Sequence, residues 1–360
     1  MASNKNLIEK ADLTMLNIEA NGGELNREQA ARFVRKVIDM PTILRDVRVV
    51  EMRSPEQEIN KIGFGRRILR PGVQGRENST RLPDGDRARP TTEQVLLRTK
   101  EVIGEVHLPY QVFEDTIERG NIGMDRDGGG GTPAGGGIAD TIVELIGERV
   151  ALDLEELAVN GDEGLTLATA GTTNDLFQNR DILGTTGNPA DNDDHVTARN
   201  YLAMQNGWLK LATENHVSVN TKFTKDVGAD GIRAMPNRYK YELGMMRNYV
   251  APNVEIDYRQ SLTDRATVLG DQSIDSQTTV ARAMGVPLSS VNTMPPAQGL
   301  LCNPKNLIFG IQRRVTMEFD KDIRARLWII VVTARVDFQI EETESIVKYT
   351  DIQQGRVGSP

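Results

Sequence analysis

The stretch from residue 59 to residue 100 constrains this chain more than any other. Its ends, Ile59 to Leu69 and Val95 to Val106, read as strands, while Gly72, Gly75, Pro83, Gly85 and Pro90 fill the middle with turn formers. Arg66, Arg67, Arg70, Arg76, Arg81, Arg87 and Arg89 fall in the same stretch. The pattern predicts a long hairpin with a polar, turn-rich tip. A lone hairpin is marginal in water, since two strands without an apolar face do not offset the entropy of ordering them. A hairpin this polar buries no core of its own, so it must lie on another chain or stay unseated. Its arginines admit two readings, phosphate binding or mixed-charge protein contact. The interleaved Glu77, Asp84, Asp86 and Glu93 favour the second.

Composition points the same way. Of 360 residues only 38% are hydrophobic and 5% aromatic, against 33 glycines. That limits core per residue, and such a chain gains stability from partners. A net charge of -8 argues against a nucleic-acid binder working through a basic surface. Cys302 is the one cysteine, so no intrachain disulfide forms. No apolar run approaches the ~18 residues of a membrane span. The longest, Leu327 to Val332, reads as a strand. The first five residues lack the charged-then-apolar pattern of a signal peptide.

Along the chain, Leu7, Ile8, Ala11, Met15 and Ile18 lie at helical spacing, and Ala30, Phe33, Val34, Val37 and Ile38 form a second stripe. The two helices read either as an arm that docks elsewhere or as a helical hairpin on its own domain. Residues 46–52 alternate like a strand, and a short helix is expected over 111–119. Gly128, Gly129, Gly130, Gly131, Gly135, Gly136 and Gly137 mark a flexible segment. The strongest helix runs from Ile138 to about Val159, ~33 Å at ~1.5 Å per residue. Ile138, Ile142, Leu145, Ile146, Val150, Leu154 and Leu157 form its apolar face, with Glu144, Glu148, Glu155 and Glu156 outside it. Further helices are expected over 197–213, from Met235-Pro236-Asn237 to about Met246, and over 276–284. Extended segments are expected at 286–294, 307–319, 327–340 and 346–352, with the centre of 327–340 buried.

Catalytic chemistry is hard to find. His107, His195 and His216 are far apart in sequence and read as surface or capping residues. Cys302 reads as a packing thiol. Asp191, Asp193, Asp194 and His195 could hold a hard cation, but also read as a solvated loop with an N-cap, the favoured reading. The polyglycine stretch lacks the Gly-Lys-Ser/Thr ending of a phosphate loop. No catalytic, metal or cofactor residue is predicted.

The order of parts is more telling: arm, strand, charged hairpin, long helix, mixed α/β segment, C-terminal strands. Glu156-Leu157-Ala158-Val159-Asn160-Gly161-Asp162, Ile232-Arg233-Ala234-Met235-Pro236-Asn237, Met284-Gly285-Val286-Pro287 and Leu300 to Gly310 add local motifs in the same order. Together these resemble the major capsid proteins of tailed bacteriophages, the Johnson fold, over about residues 27–352. The resemblance implies an α+β subunit with an N-arm (1–44), a peripheral strand (45–58), an E-loop hairpin (59–100) and a peripheral domain with its spine helix (101–214). An axial domain (215–310), C-terminal strands returning to the peripheral domain (311–352) and a tail (353–360) complete it. It implies a non-enzymatic subunit forming hexamers and pentamers of an icosahedral head around double-stranded DNA, without sequence-specific DNA binding and without a membrane. The implied location is the virion, after assembly in the bacterial cytoplasm. Implied partners are a portal protein, a separate scaffolding protein and a decoration protein. The hairpin arginines would then meet Glu144, Glu148, Glu155 and Glu156 of a neighbour's helix, with the glycines as hinge. Competing readings are an encapsulin-like compartment, a phage tail or connector component, and a metal-dependent α/β enzyme built on Asp191, Asp193, Asp194 and His195.

Overall fold

The computed structural model describes residues 41–64, 68–69, 89–109, 138–164, 200–263 and 281–353. The longest alternating runs build its centre. Strand β10 (Leu307–Asp322) pairs antiparallel with β11 (Leu327–Ile340). Strand β1 (Arg48–Glu51) adds in parallel to β10, and β4 (Lys100–Pro109) in antiparallel to β11, giving a four-stranded sheet in the order β1-β10-β11-β4. Along β11 the even-numbered Ile330, Val332, Ala334, Val336, Phe338 and Ile340 are buried. Helix α1 (Ile138–Asn160) supplies the cover, with Ile142, Val143, Ile146 and Val150 packed against Leu108, Ile330 and Val332. The expected burial of 328–332 therefore holds for alternate residues only. Ile329 and Val331 are half-buried on the opposite, odd-numbered face, which no described helix covers at that point, and Trp328 is half-buried at the rim of the cluster under α1.

A second sheet has six strands: β5 (Asn215–Ser218), β12 (Val347–Thr350), β9 (Gly299–Cys302), β6 (Arg247–Val250), β8 (Val286–Ser290) and β7 (Arg282–Ala283), in that order. Helices α3 (Lys225–Ala234) and α4 (Pro252–Thr263) pack on it. Phe223 anchors that cluster, edge-on to Tyr258 and Tyr349 at 5.9 and 5.4 Å between centroids. The main core joins the two sheets. Trp208, Phe309 and Phe338 from one side meet Tyr249, Leu300 and Cys302 from the other. Phe338 stacks on Phe309 at 5.2 Å and takes Trp208 edge-on at 5.7 Å.

Several sequence expectations change. The segment 95–106 is two strands. It forms β3 (Thr91–Arg98) of the hairpin, breaks at Thr99, and resumes as β4 of the body. The helix expected over 197–213 is interrupted; residues 200–202 are helical, and α2 (Trp208–Leu211) restarts after Gly207. The cause is a close backbone approach: a Cβ on Gly207 would stand 2.7 Å from the Gly161 nitrogen and 2.8 Å from the Ala158 oxygen. Within the helix expected over 276–284, Arg282–Ala283 is strand. Met284 (φ 51°) and Gly285 (φ 88°) turn it into β8 as a two-residue hairpin loop. The helix after Pro236 is of 3₁₀ type, Asn237–Met245. The segment 311–352 divides between the sheets, because β12 pairs with β5 and β9 rather than with β11. The predicted arm helices, the 111–119 helix, Gly128 to Gly137 and the Asp191–His195 cluster lie outside the described residues.

Candidate assembly surfaces

Strand β2 (Glu56–Gly63) pairs with β3, and among the described residues neither joins another sheet. The root of this hairpin is well held. Leu97, with no exposed surface, packs with Met52 and Ile308. The Arg98 N–H donates to Asp337 Oδ2 at 2.6 Å, and Thr99 Oγ1 donates to Gln312 Oε1 at 3.1 Å. Lys61 Nζ pairs with Glu342 at 3.1 Å. Beyond the root, the described residues include large apolar side chains that stand open. Ile62 is 74% exposed, Phe64 57%, Ile68 57% and Leu69 83%. Burial of each of these four large apolar side chains against a partner would be worth up to about 1.5–3 kcal/mol. Sequence reasoning stressed the arginines and missed these residues, although Ile62, Phe64, Ile68 and Leu69 stand close together in a polar stretch.

The face of the four-stranded sheet opposite α1 is, among the described residues, the other open surface. The pairing register puts Glu101, Ile103, Glu105 and His107 of β4 beside Arg335, Thr333, Val331 and Ile329 of β11 on that face. Ile103 is 65% exposed. Glu101 accepts from Arg313 and from Arg335, and these two guanidiniums hold its carboxyl below the usual carboxylate range. His107 Nε2 lies 2.6 Å from Glu105 Oε1.

The predicted contact residues separate. Arg66, Arg67, Arg70, Arg76, Arg81 and Arg87 lie outside the described residues, and Arg89 is exposed. On α1, Glu144 is exposed and Glu148 half-buried. Glu155 and Glu156 are 0% and 2% exposed, which corrects their assignment to an outward helix face. At Glu155 the helix has no outward face, because residues 42–44 cover it. Glu155 Oε2 accepts the N–H groups of Thr42 at 2.6 Å, Ile43 at 3.0 Å and Leu44 at 3.5 Å, while Thr293 donates to Oε1 at 3.4 Å. Burial raises this carboxyl's proton affinity, and the four donors oppose that. Glu155 thus ties residues 42–44 to the spine of the body, and Arg247 adds a bond to Asp46 Oδ2 at 2.6 Å.

Cys302 is fully buried, and burial pushes its thiol up to about 12, so almost no thiolate exists at neutral pH. His216 Nε2 lies 2.9 Å from the Thr213 carbonyl oxygen. Among the described residues, no three His, Cys, Asp or Glu side chains are grouped to hold a metal, and no helix is long and apolar enough to cross a membrane.

No family model matches the chain. A curated relative from Bacillus subtilis (strain 168), named "Putative prophage capsid protein YqbE", is 33% identical over 364 residues, covering 98% of this chain and 99% of the relative. Among solved structures, the capsid of the native GTA particle is 12% identical with a TM-score of 0.56, covering 93% of this chain and 98% of that one. Gordonia phage Cozz is 10% identical with a TM-score of 0.54, covering 92% and 93%. The capsid of cyanophage P-SCSP1u is 11% identical with a TM-score of 0.51, covering 90% and 92%. A relative one-third identical from end to end, and a backbone that superposes on phage capsids, place the chain among the prophage capsid proteins, with the Johnson fold as its architecture.

Proposed function

We propose that this chain is the major capsid protein of its particle, a structural subunit that assembles into hexamers and pentamers of a closed icosahedral head around double-stranded DNA. The observation that carries this reading is the hairpin. It is rooted firmly in the body, pairs with no other strand among the described residues, and carries exposed Ile62, Phe64, Ile68 and Leu69 beyond its root. An element like that is completed by a sister subunit. The six-stranded sheet with α3 and α4 would gather around the capsomer axis, and the four-stranded sheet with α1 would face neighbouring capsomers. Arginines near the tip would add exposed ion pairs of only about 0.2–1 kcal/mol each, so apolar burial is the larger contribution. Repetition over many copies makes such weak contacts sufficient.

Assembly would take place in the host cytoplasm, with a portal protein and a separate scaffolding protein as partners, and a decoration protein on the finished shell. A net charge of -8 suits a wall that does not hold packaged DNA tightly. The test is direct: purify the full chain and image it in negative stain. Closed shells are expected. Single globules at assembly concentrations, open tubes or small rings alone would overturn the reading.

A further inference from the structure

The turn that carries the chain from the four-stranded sheet to the six-stranded one spreads three carboxylates over three elements. Glu341 pairs with Arg48 of β1 at 2.8 Å, Glu342 with Lys61 of the hairpin at 3.1 Å, and Glu344 with Arg238 of the 3₁₀ segment. Glu342 is held from its own backbone. Asn306, 9% exposed, accepts the Glu342 N–H at 2.7 Å and donates to its carbonyl oxygen at 2.8 Å. Tyr239 O–H donates to Glu342 Oε2 at 3.3 Å. On the hairpin, alternate residues Gln57, Ile59 and Lys61 turn inward. Ile59 and Val95 pack with Met52, Leu97 and Ile308, and Lys61 comes next along the same face. Its side chain is only 18% exposed, and its bond to Glu342 is the outermost polar tie of hairpin to body among the described residues. Lys61 also has a second acid beside it. The strand register sets it directly across from Glu93 of β3, on the same face of the hairpin, and Glu93 is exposed.

We propose that Lys61 is a partner-switching latch: paired with Glu342 it holds the hairpin on its own body, and paired with Glu93 it lets the hairpin lift with its charge still matched. Lys61 is a positioning residue in this account, since it sets where the hairpin points. Without a second acid, lifting would strand the lysine. With Glu93 across the strand pair, lifting exchanges one ion pair for another. Glu342, already 38% exposed at its side chain, returns to water and keeps its bond from Tyr239. Lifting also uncovers Ile59 and Val95, so the latched form is the majority in the free chain. A tie made by a partly exposed pair is weak enough to open reversibly. The hairpin is thus fixed by apolar packing at its root and by an exchangeable charge farther out.

The test is the rate at which a maleimide labels a cysteine placed under the hairpin, Val95→Cys, in the unassembled full-length chain. The native Cys302 is fully buried, so the new thiol is the reactive one, and its labelling rate follows the lifted population. In this background Glu342→Gln keeps an acceptor for Tyr239 but loses the charge, and should speed labelling about two- to fivefold. Glu93→Gln removes the alternative partner and should slow labelling by up to about twofold. In a Lys61→Met background both effects should vanish. Arg48→Ala breaks the neighbouring Glu341 pair without touching the hairpin and should leave the rate unchanged. An unchanged rate in Glu342→Gln, faster labelling in Glu93→Gln, or either effect persisting with Lys61→Met would overturn the proposal. So would a rise in Arg48→Ala equal to that of Glu342→Gln, which would mean general loosening of the turn. If Val95→Cys does not fold, Ile59→Cys on the same face of β2 takes its place. The use of the latch rests on the capsid reading, but the labelling is read within one chain. Failure to form shells would leave the latch standing, and a failed latch would leave the capsid reading standing.

Discussion

Two antiparallel strand pairs in this chain have opposite surroundings. The β10–β11 pair has a neighbour on each edge and α1 across one face, and its inward residues are almost wholly buried. Among the described residues, the β2–β3 pair has no neighbour on either edge and, past Leu97, little beneath it. The first is stable because its own chain completes it. The second keeps strand geometry while exposing apolar side chains, which a free monomer gains nothing by doing. The lesson is that one chain holds two kinds of stability. One is fixed within the subunit, and the other is realised when subunits meet.

Mutations should separate the two kinds. The largest effect belongs to the body. Trp208→Ala removes a fully buried ring in contact with Phe338 and should cost about 3–5 kcal/mol, seen as an earlier denaturant midpoint of the unassembled chain. Glu155→Ala comes next. It strands the N–H groups of Thr42 and Ile43 and should cost about 1–3 kcal/mol, with faster protease cleavage near residue 42. Glu155→Gln keeps an acceptor and should recover part of that loss. Ile62→Asp combined with Leu69→Asp should reverse the pattern. Free-chain stability should change by less than about 0.5 kcal/mol, while shell yield in negative stain collapses. The smallest effect is Arg48→Ala, which breaks an exposed pair with Glu341 at 2.8 Å. It should cost about 0.2–1 kcal/mol, less at high salt. If the Ile62/Leu69 double variant unfolds the free chain as Trp208→Ala does, the two regions are not distinct.

Much of the body was legible because its signals are local and long. The predicted 327–340 strand is β11, and the predicted 138–159 helix is α1 within one residue, since period and length both speak clearly. What failed was decided elsewhere in the chain. Alternation runs straight through Thr99, so nothing local marks where the hairpin ends and the body sheet begins. The helix over 197–213 breaks because Gly207 must touch the Gly161 backbone, a contact between segments 46 positions apart. Arg282–Ala283 favours helix by composition, yet Met284-Gly285 turns it onto β8; Met-Gly is a weak turn signal beside Asn-Gly. Glu155 looked like part of a solvated helix edge because the segment covering it is remote in sequence. Asp337 was invisible for a similar reason. In an alternating strand it occupies an outward position, and the hairpin root and Gln205, both remote in sequence, make that position buried.

The central claim is that the hairpin tip rests on a different copy of the chain. A photo-crosslinking side chain placed at Phe64, in particles assembled from an equal mixture of light and heavy isotope-labelled full-length subunits, tests it most directly. The account predicts crosslinked peptide pairs of which about half join one light to one heavy chain. Crosslinks that are always light to light or heavy to heavy would mean the tip folds back on its own body, and would contradict it.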